Sequence, residues 1–484
     1  MTGNPPRLRR RAILATFAGA AASTLLAACG TTTAATVTAA STPVMRTPSG
    51  TTLIAAASAT VLTTSTASPA ATTATPVATT PLAQMTGKKV VIEYWSNDNG
   101  TRAELVKRLA AQLNDRNTGL TVTTKTFTDY ATLLQALQAA IAARVQPAVA
   151  QIGYSYLRYV ATQVPHTTVE EVAKRDPQGA EFLSTKNFDP AVLDLGRVDG
   201  VLRGMSYAMS VPLLWYNADL LKQASIERPP TMWSEVRAYG RQIGTLPGKN
   251  GLYIAESTNF WANQAFVESN GAHIVSGTGN DVRCTMDSPE AIQAMQFHAD
   301  MVREKSAVTL PQAQADQSFT SGNLGMYLGS STVYQNVTMA AKFTAGSVVV
   351  PTWDTKPRRV PIGGNALFIF GRDAEQQAAG WEWIKYLQTL ENMTTWVKET
   401  GYLPTRLGLA DNPQYLKSFY DQNSLLAPTL IELPDATQWY SFPGQHGIEA
   451  EKELLDARGR ILTGQDAANV LRDIVPRINS LVRG

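Results

Sequence analysis

The run Tyr207-Ala208-Met209-Ser210-Val211-Pro212-Leu213-Leu214-Trp215-Tyr216 decides the architecture. It reads as one long extended segment, yet Pro212 stands inside it. Proline has no N–H to give to a sheet ladder, so an uninterrupted central strand is excluded. A segment that leaves one sheet, bends and enters another tolerates the proline, and the run therefore reads as a crossing between two domains. Val360 to Phe370 is a second extended run, in which Gly363-Gly364 permits backbone conformations that other residues resist. A plain β-bulge is the competing account of that glycine pair.

Upstream of the first crossing, strand and helix signals alternate. Lys89 to Trp95 is a β-branched and aromatic run, and Thr101 to Arg116 places Leu105, Val106, Leu109 and Leu113 on one helical face. Thr121 to Phe127 predicts a second strand, Asp129 to Ala143 a helix and Ala148 to Ile152 a third strand. Strand, helix, strand, helix, strand implies a parallel sheet. Ligands gather beyond the carboxyl ends of such strands, here Ser96-Asn97-Asp98-Asn99-Gly100 and Gly153-Tyr154-Ser155-Tyr156. Turn punctuation and a helix cap at Asn99 or Thr101 account for the same residues equally well.

The 398 residues from Gly87 to Gly484 exceed one ordinary core, so length alone predicts two lobes. Arg7, Arg9, Arg10, Arg11 and Arg46 precede this body, which leaves it 37 of the 42 basic residues against 39 acidic ones, a net charge of −2. No basic patch points to nucleic acid. Cys284 is the only cysteine of the body, so an apolar core must hold it without an internal disulfide.

The N-terminal segment has another character. A basic start, an apolar stretch from Ala12 to Ala28 and the small residues before Cys29 read as an export signal over residues 1–29. It resembles a bacterial lipoprotein signal, which implies lipid on Cys29 and a mature protein tied to a membrane at the cell surface or in the periplasm. A single transmembrane anchor is the competing account, although 17 apolar residues rich in Ala, Gly and Thr sit at the short edge of a span. Arg10-Arg11-Ala12-Ile13-Leu14 also resembles the twin-arginine motif. Residues 30–86, nearly all Thr, Ala, Ser, Pro and Val, cannot bury enough surface to order themselves and predict a disordered tether. Its ends would lie roughly 40 Å apart on average.

Four segments carry a family resemblance. They are Tyr207 to Leu221 with Pro229 to Val236; Phe319-Thr320-Ser321-Gly322-Asn323-Leu324-Gly325-Met326; Ile362 to Ile369 with its glycine pair; and Trp381 to Thr405, ending Gly401-Tyr402-Leu403-Pro404-Thr405. In order and spacing they resemble the family-1 extracellular solute-binding proteins of ABC importers. Gly325 stands where the family's box has alanine, a mild departure.

The resemblance implies a two-lobed α/β fold of the periplasmic-binding-protein type, each lobe a mainly parallel sheet with flanking helices, joined by three crossings. Lobe 1 is expected at 87–209 plus 366–408 and lobe 2 at 210–365 plus 409–484. It also implies a solute held between the lobes, no cofactor or metal, a monomer, and an ABC permease as partner. A carbohydrate site needs planar hydrogen-bonding groups and aromatic platforms together. Carried over by segment, the implied contacts are Trp95, Asn97, Asp98, Tyr154 and Ser155 from the first lobe, with Ser210 at the first crossing. Phe260, Trp261, Gly329, Ser330 and Ser331 come from the second, Gly364 and Asn365 from the return crossing, and Trp439 and Tyr440 from the loop before the last helices. For each aromatic, core packing is the competing account; Trp215, Trp233, Trp381, Trp383 and Trp396 read as core.

One departure bears on the solute. A phosphate calls for a cation, best an arginine fork. Between Lys417 and Lys452 the chain has no Lys or Arg, which favours a neutral sugar or oligosaccharide. Arg406 keeps glycerol 3-phosphate and its diesters as the alternative. A surface glycosidase or an adhesive lipoprotein are the readings from other classes. Against catalysis, His166, His273, His298 and His446 are scattered, and no metalloprotease, nucleophile-elbow or phosphate-loop motif occurs. Against adhesion, an adhesin has no need of two lobes joined by extended crossings.

Overall fold

The computed structural model describes residues 89–255, 259–277 and 281–483. The expected signal, Cys29 and the tether lie outside the described residues.

The early elements follow their hydrophobic spacing. Strand Val90–Ser96 buries Val90, Ile92 and Tyr94, and helix Gly100–Asn114 turns Leu105, Val106, Leu109 and Leu113 inward. Helix Tyr130–Ala142 starts where the Asp129 carboxylate accepts from the Thr132 N–H at 2.7 Å, which satisfies one free donor of the first turn.

Two separate sheets form the centres of two lobes. The first has the order Ala436–Gln438, Val360–Ile369, Val149–Gly153, Val90–Ser96, Leu120–Thr126, and Met205–Ser210 also pairs with Val360–Ile369. Its three early strands are parallel, with Val90 beside Leu120 and Tyr94 beside Val149. Val360–Ile369 runs antiparallel to both Val149–Gly153 and Met205–Ser210. The second sheet has the order Ala307–Val308, Asn250–Ile254, Leu324–Ser330, Pro212–Asn217, Ala345–Val348. The first three are parallel; Pro212–Asn217 and Ala345–Val348 extend them antiparallel. Each sheet is therefore mixed, a parallel βαβ centre widened by strands that arrive from another direction.

The first crossing lies where proline predicts it. Met205–Ser210 belongs to the first sheet and Pro212–Asn217 to the second, with only Val211 between them. Pro212 is the first residue of its strand, the position at which a missing donor costs least. The return run is both a crossing and a bulge. Gly364 has φ +118°, an added Cβ there would stand 2.0 Å from the Ala208 carbonyl oxygen, and the register shifts directly after Asn365.

Gly401-Tyr402-Leu403 comes alongside these crossings, because the Leu403 N–H donates to the Met209 carbonyl oxygen at 2.7 Å. Helices Gly447–Leu462 and Ala467–Arg483 pack on each other and on helix Pro289–Arg303 of the second lobe. Trp215, Trp233, Trp381, Trp383 and Trp396 are all fully buried, in keeping with their reading as core. Among the described residues no helix is long and apolar enough to cross a membrane.

Candidate functional site

The crossings assemble the site. Ser210 pairs with Gly363, and the Trp261 indole lies against that glycine: a Cβ at Gly363 would stand 2.7 Å from the ring and 2.8 Å from the Ser210 Oγ. Trp261 Nε1 donates to the Pro361 carbonyl oxygen at 3.1 Å, which fixes the ring across the return strand. Trp439 packs beside it, with ring centroids 6.0 Å apart and planes at 47°. Gln264, one turn further along the Trp261–Glu268 helix, donates to the Gln438 carbonyl at 2.9 Å and accepts from the Tyr440 N–H at 3.2 Å. One helix of the second lobe thus carries one tryptophan and holds the loop that carries the other.

Asn365 lies two residues beyond Gly363 on the return strand. It pairs with Gly153, and its Nδ2 donates to the Tyr130 hydroxyl at 3.1 Å. The Tyr130 ring covers Gly153 so closely that a Cβ there would stand 2.7 Å away. Tyr154 follows, buried, and the Ser155 carbonyl accepts from Ser441 Oγ at 2.8 Å, which draws the tryptophan-bearing loop onto the first lobe. Asn365 Oδ1 and Trp439 Nε1 are both buried without a hydrogen-bond partner. One spare acceptor thus lies on the return strand and one spare donor on the loop that follows Gln438, and buried polar atoms left unpaired cost on the order of 1–3 kcal/mol each.

Asn97 and Asp98 lie at the carboxyl end of the first strand, as expected. The Asn97 N–H donates to Gln151 Oε1 at 3.2 Å, and Gln151 Nε2 donates to Asp98 Oδ2 at 2.8 Å. Burial pushes the Asp98 carboxyl above its ordinary range, while nearby Arg102 opposes the shift. Trp95 is 4% exposed; its ring packs on Phe127 at 5.0 Å under the Lys125 ammonium at 4.5 Å, so its ring partners are not the crossing aromatics.

Other expected residues are taken up by packing and hydrogen bonds of their own. Phe260 is fully buried against Tyr440, 6.4 Å away, and under the Arg458 guanidinium. The Tyr440 hydroxyl donates to Glu451 Oε1 at 2.6 Å, and burial pushes that carboxyl up to about 7. Gly329 lies inside its strand, where a Cβ would strike the Tyr327 ring at 2.2 Å. The Ser330 carbonyl accepts from Trp215 Nε1 at 3.1 Å and its hydroxyl accepts from Thr332 Oγ1 at 2.9 Å. Ser331 is buried and donates to the Gly401 carbonyl at 3.0 Å. Arg406 is tied into the first lobe: Nη2 donates to Asn187 Oδ1 at 2.8 Å, Phe188 lies 4.9 Å away, and burial lowers the guanidinium to about 10.

Tyr130, Gln151, Arg102 and Tyr402 are the polar neighbours that the sequence reading omits. Tyr402 lies inside the Gly401–Thr405 element and Arg102 two residues past the Ser96–Gly100 loop; Tyr130 stands at a helix start beyond a strand end, the place from which ligand contacts come.

Two α/β lobes joined by an extended crossing, with buried polar atoms left unpaired near it, suit a protein that binds its ligand between domains. The profile of the bacterial extracellular solute-binding proteins matches residues 108–419, and the chain belongs to that family. The sn-glycerol-3-phosphate-binding periplasmic protein UgpB of Salmonella typhimurium is 25% identical over 348 residues, which cover 69% of this chain and 78% of that protein. UgpB of Escherichia coli K12 matches to the same extent. Among solved structures, UgpB from Mycobacterium tuberculosis in complex with glycerophosphocholine superposes with a TM-score of 0.72 at 21% identity, covering 81% of this chain and 98% of that one. The cyclic alpha-maltosyl-1,6-maltose binding protein from Arthrobacter globiformis gives 0.66 at 18% identity, with coverage of 81% and 99%. The chain is accordingly the substrate-binding protein of an ABC importer, of an extracellular or periplasmic family.

Proposed function

We propose that the protein captures a small polyhydric solute, a sugar or oligosaccharide, between its lobes and delivers it unaltered to a membrane permease. The observation that carries this reading is the presence near the crossings of a spare acceptor, Asn365 Oδ1, a spare donor, Trp439 Nε1, and two adjoining indoles, Trp261 and Trp439. A sugar offers hydroxyls that both give and accept, and an apolar face for a ring. The ordered crossings suit a hinge, since a few backbone angles at Val211 and Gly364 are enough to swing one lobe against the other. Attachment through lipid at Cys29, after export by the general or the twin-arginine route, completes the reading and keeps the body near its permease.

A second solute class has support of its own. The UgpB relatives are named for glycerol 3-phosphate, and one neighbour holds glycerophosphocholine. Glycerol 3-phosphate or a glycerophosphodiester is therefore the alternative cargo. Calorimetric titration of the purified body with a panel of sugars and glycerol phosphates tests both. Saturable binding with the solute recovered intact is the expected result; turnover points to a glycosidase, and silence across the panel to an adhesive role.

A further inference from the structure

We infer that Arg102 receives an anionic substituent of the solute, so that the site reads charge through a residue of the first helix. The inference rests on the interlobe solute reading above and goes on to name the residue that sets ligand class.

Among the described residues, the Arg102 guanidinium donates no hydrogen bond. Its nearest acid is Asp98, and that approach is made by Nε at 3.8 Å, so the outer fork of the guanidinium turns away from the carboxylate. Asp98 in turn is held by Gln151, whose Nε2 donates to the other oxygen at 2.8 Å. The guanidinium carbon lies 6.0 Å from the Tyr402 ring centroid, and the side chain is 23% exposed. Arginine carries five donors in a fixed planar fork, and a fork left unengaged in a partly buried setting matches the oxygens of a phosphate or carboxylate.

The surroundings favour the same occupant. Tyr130 and Tyr402 both interact electrostatically with Arg102, and the Tyr130 hydroxyl accepts from Asn365 Nδ2, which leaves its own proton to donate. Burial pulls against the Arg102 charge, and the Asp98 carboxylate one turn earlier supports it. The contrast with Arg406 is direct. That guanidinium donates to Asn187 and Gln388 among phenylalanine rings and has a structural task already. The loop from Trp439 to His446 carries no cation, so Arg102 takes the part of anion receptor without competition there.

The test is calorimetry on the full body with glycerol 3-phosphate against glycerol, and glucose 1-phosphate against maltose. The wild-type protein is expected to bind the phosphorylated member of a pair at least about tenfold more tightly. Arg102→Gln is expected to abolish that preference while its thermal midpoint holds, and Arg102→Lys to keep an intermediate preference. Rising salt should weaken the phosphorylated ligand alone. Tight binding of neutral sugars with no preference for phosphate in the wild type overturns the role of Arg102 and leaves the interlobe reading standing, whatever the variants do. An unchanged preference in a folded Arg102→Gln protein does the same. Failure of every sugar and phosphate to bind removes the interlobe reading, and this inference falls with it.

Discussion

The Ser331 hydroxyl donates to the Gly401 carbonyl oxygen across 3.0 Å and so joins the end of a second-lobe strand to the turn that follows a first-lobe helix. Gly401 holds φ +73°, the left-handed residue that ends helix Leu390–Thr400, and its carbonyl points out of the helix toward its partner. Gln335 reinforces the contact by donating to the Glu399 carbonyl at 2.9 Å. Removing the hydroxyl leaves a buried carbonyl with one partner fewer, at a cost of about 1–3 kcal/mol. Ser331→Ala should therefore lower the unfolding midpoint and widen the ligand-free body in small-angle scattering. An unchanged radius and midpoint would show that the two lobes do not depend on this bond.

Gly363 is the closest approach of the Trp261 indole, and a methyl group there would overlap both the ring and Ser210 Oγ. Gly363→Ala should destabilise the fold by about 1–3 kcal/mol, because a packed strand and an indole pinned through Pro361 leave little room to shift. The same variant should lose solute affinity more severely than it loses stability, as read by calorimetry at a temperature where it is fully folded. Equal affinity in the variant would remove Trp261 from the binding surface.

Arg406 offers a contrasting case. Its guanidinium is bonded to Asn187 and lies over Phe188 within the first lobe. Arg406→Gln should lower stability by about 1–3 kcal/mol by leaving Asn187 Oδ1 unpaired, with solute affinity held within about twofold. Denaturant melts and calorimetry on one preparation check both parts; a large loss of affinity at normal stability contradicts the assignment.

Glu432 predicts a pH dependence. It is fully buried, Oε1 accepts from the Val350 N–H, Arg358 Nε stands 3.9 Å away and Oε2 has no partner. Burial pushes the carboxyl from its ordinary 4.5 up to about 8, with Arg358 opposing and Asp435 adding to the rise. A folded value above the unfolded one means that the folded state holds the proton more tightly. The stability linked to this group is therefore complete below the unfolded value and is lost as pH rises toward about 8. Relative to wild type, Glu432→Gln should gain up to about 1.4 kcal/mol per pH unit through that window. Urea melts of both proteins in steps from acid to mildly alkaline pH measure the difference directly, and parallel profiles would contradict it.

The parts of the fold that were legible in the sequence are those fixed by local chemistry. Pro212 forbids a continuous ladder, and the first strand ends at Ser210, two residues before it. Gly364 is the residue that a backbone approach from Ala208 requires. Core tryptophans declared themselves by sitting in helical or crossing patterns, Trp215 in the strand after the first crossing and the others in helices. The candidate site was legible only where it coincides with those crossings: Ser210 and Asn365 lie on them, Trp261 packs on Gly363, and Trp439 packs beside Trp261. Phe260 and Tyr440 have the right chemistry but turn into the core, because Glu451 and Arg458 on a C-terminal helix take up that side. No local pattern announces this. Tyr130 meets Asn365 from 235 residues away, and only the antiparallel pairing of Asn365 with Gly153 brings them together. The mixed sheets have the same origin, since strands returning from the other lobe need not share the direction of the βαβ units they join.

The measurement that bears most directly on the account is a co-crystal structure of the body with the solute it binds most tightly. The account predicts that the solute lies between the lobes, with one edge bonded to Asn365 Oδ1 and Trp439 Nε1 and one face against the Trp261 or Trp439 ring. A solute bound on the outer surface of a single lobe, with those two atoms still unpaired, would contradict it.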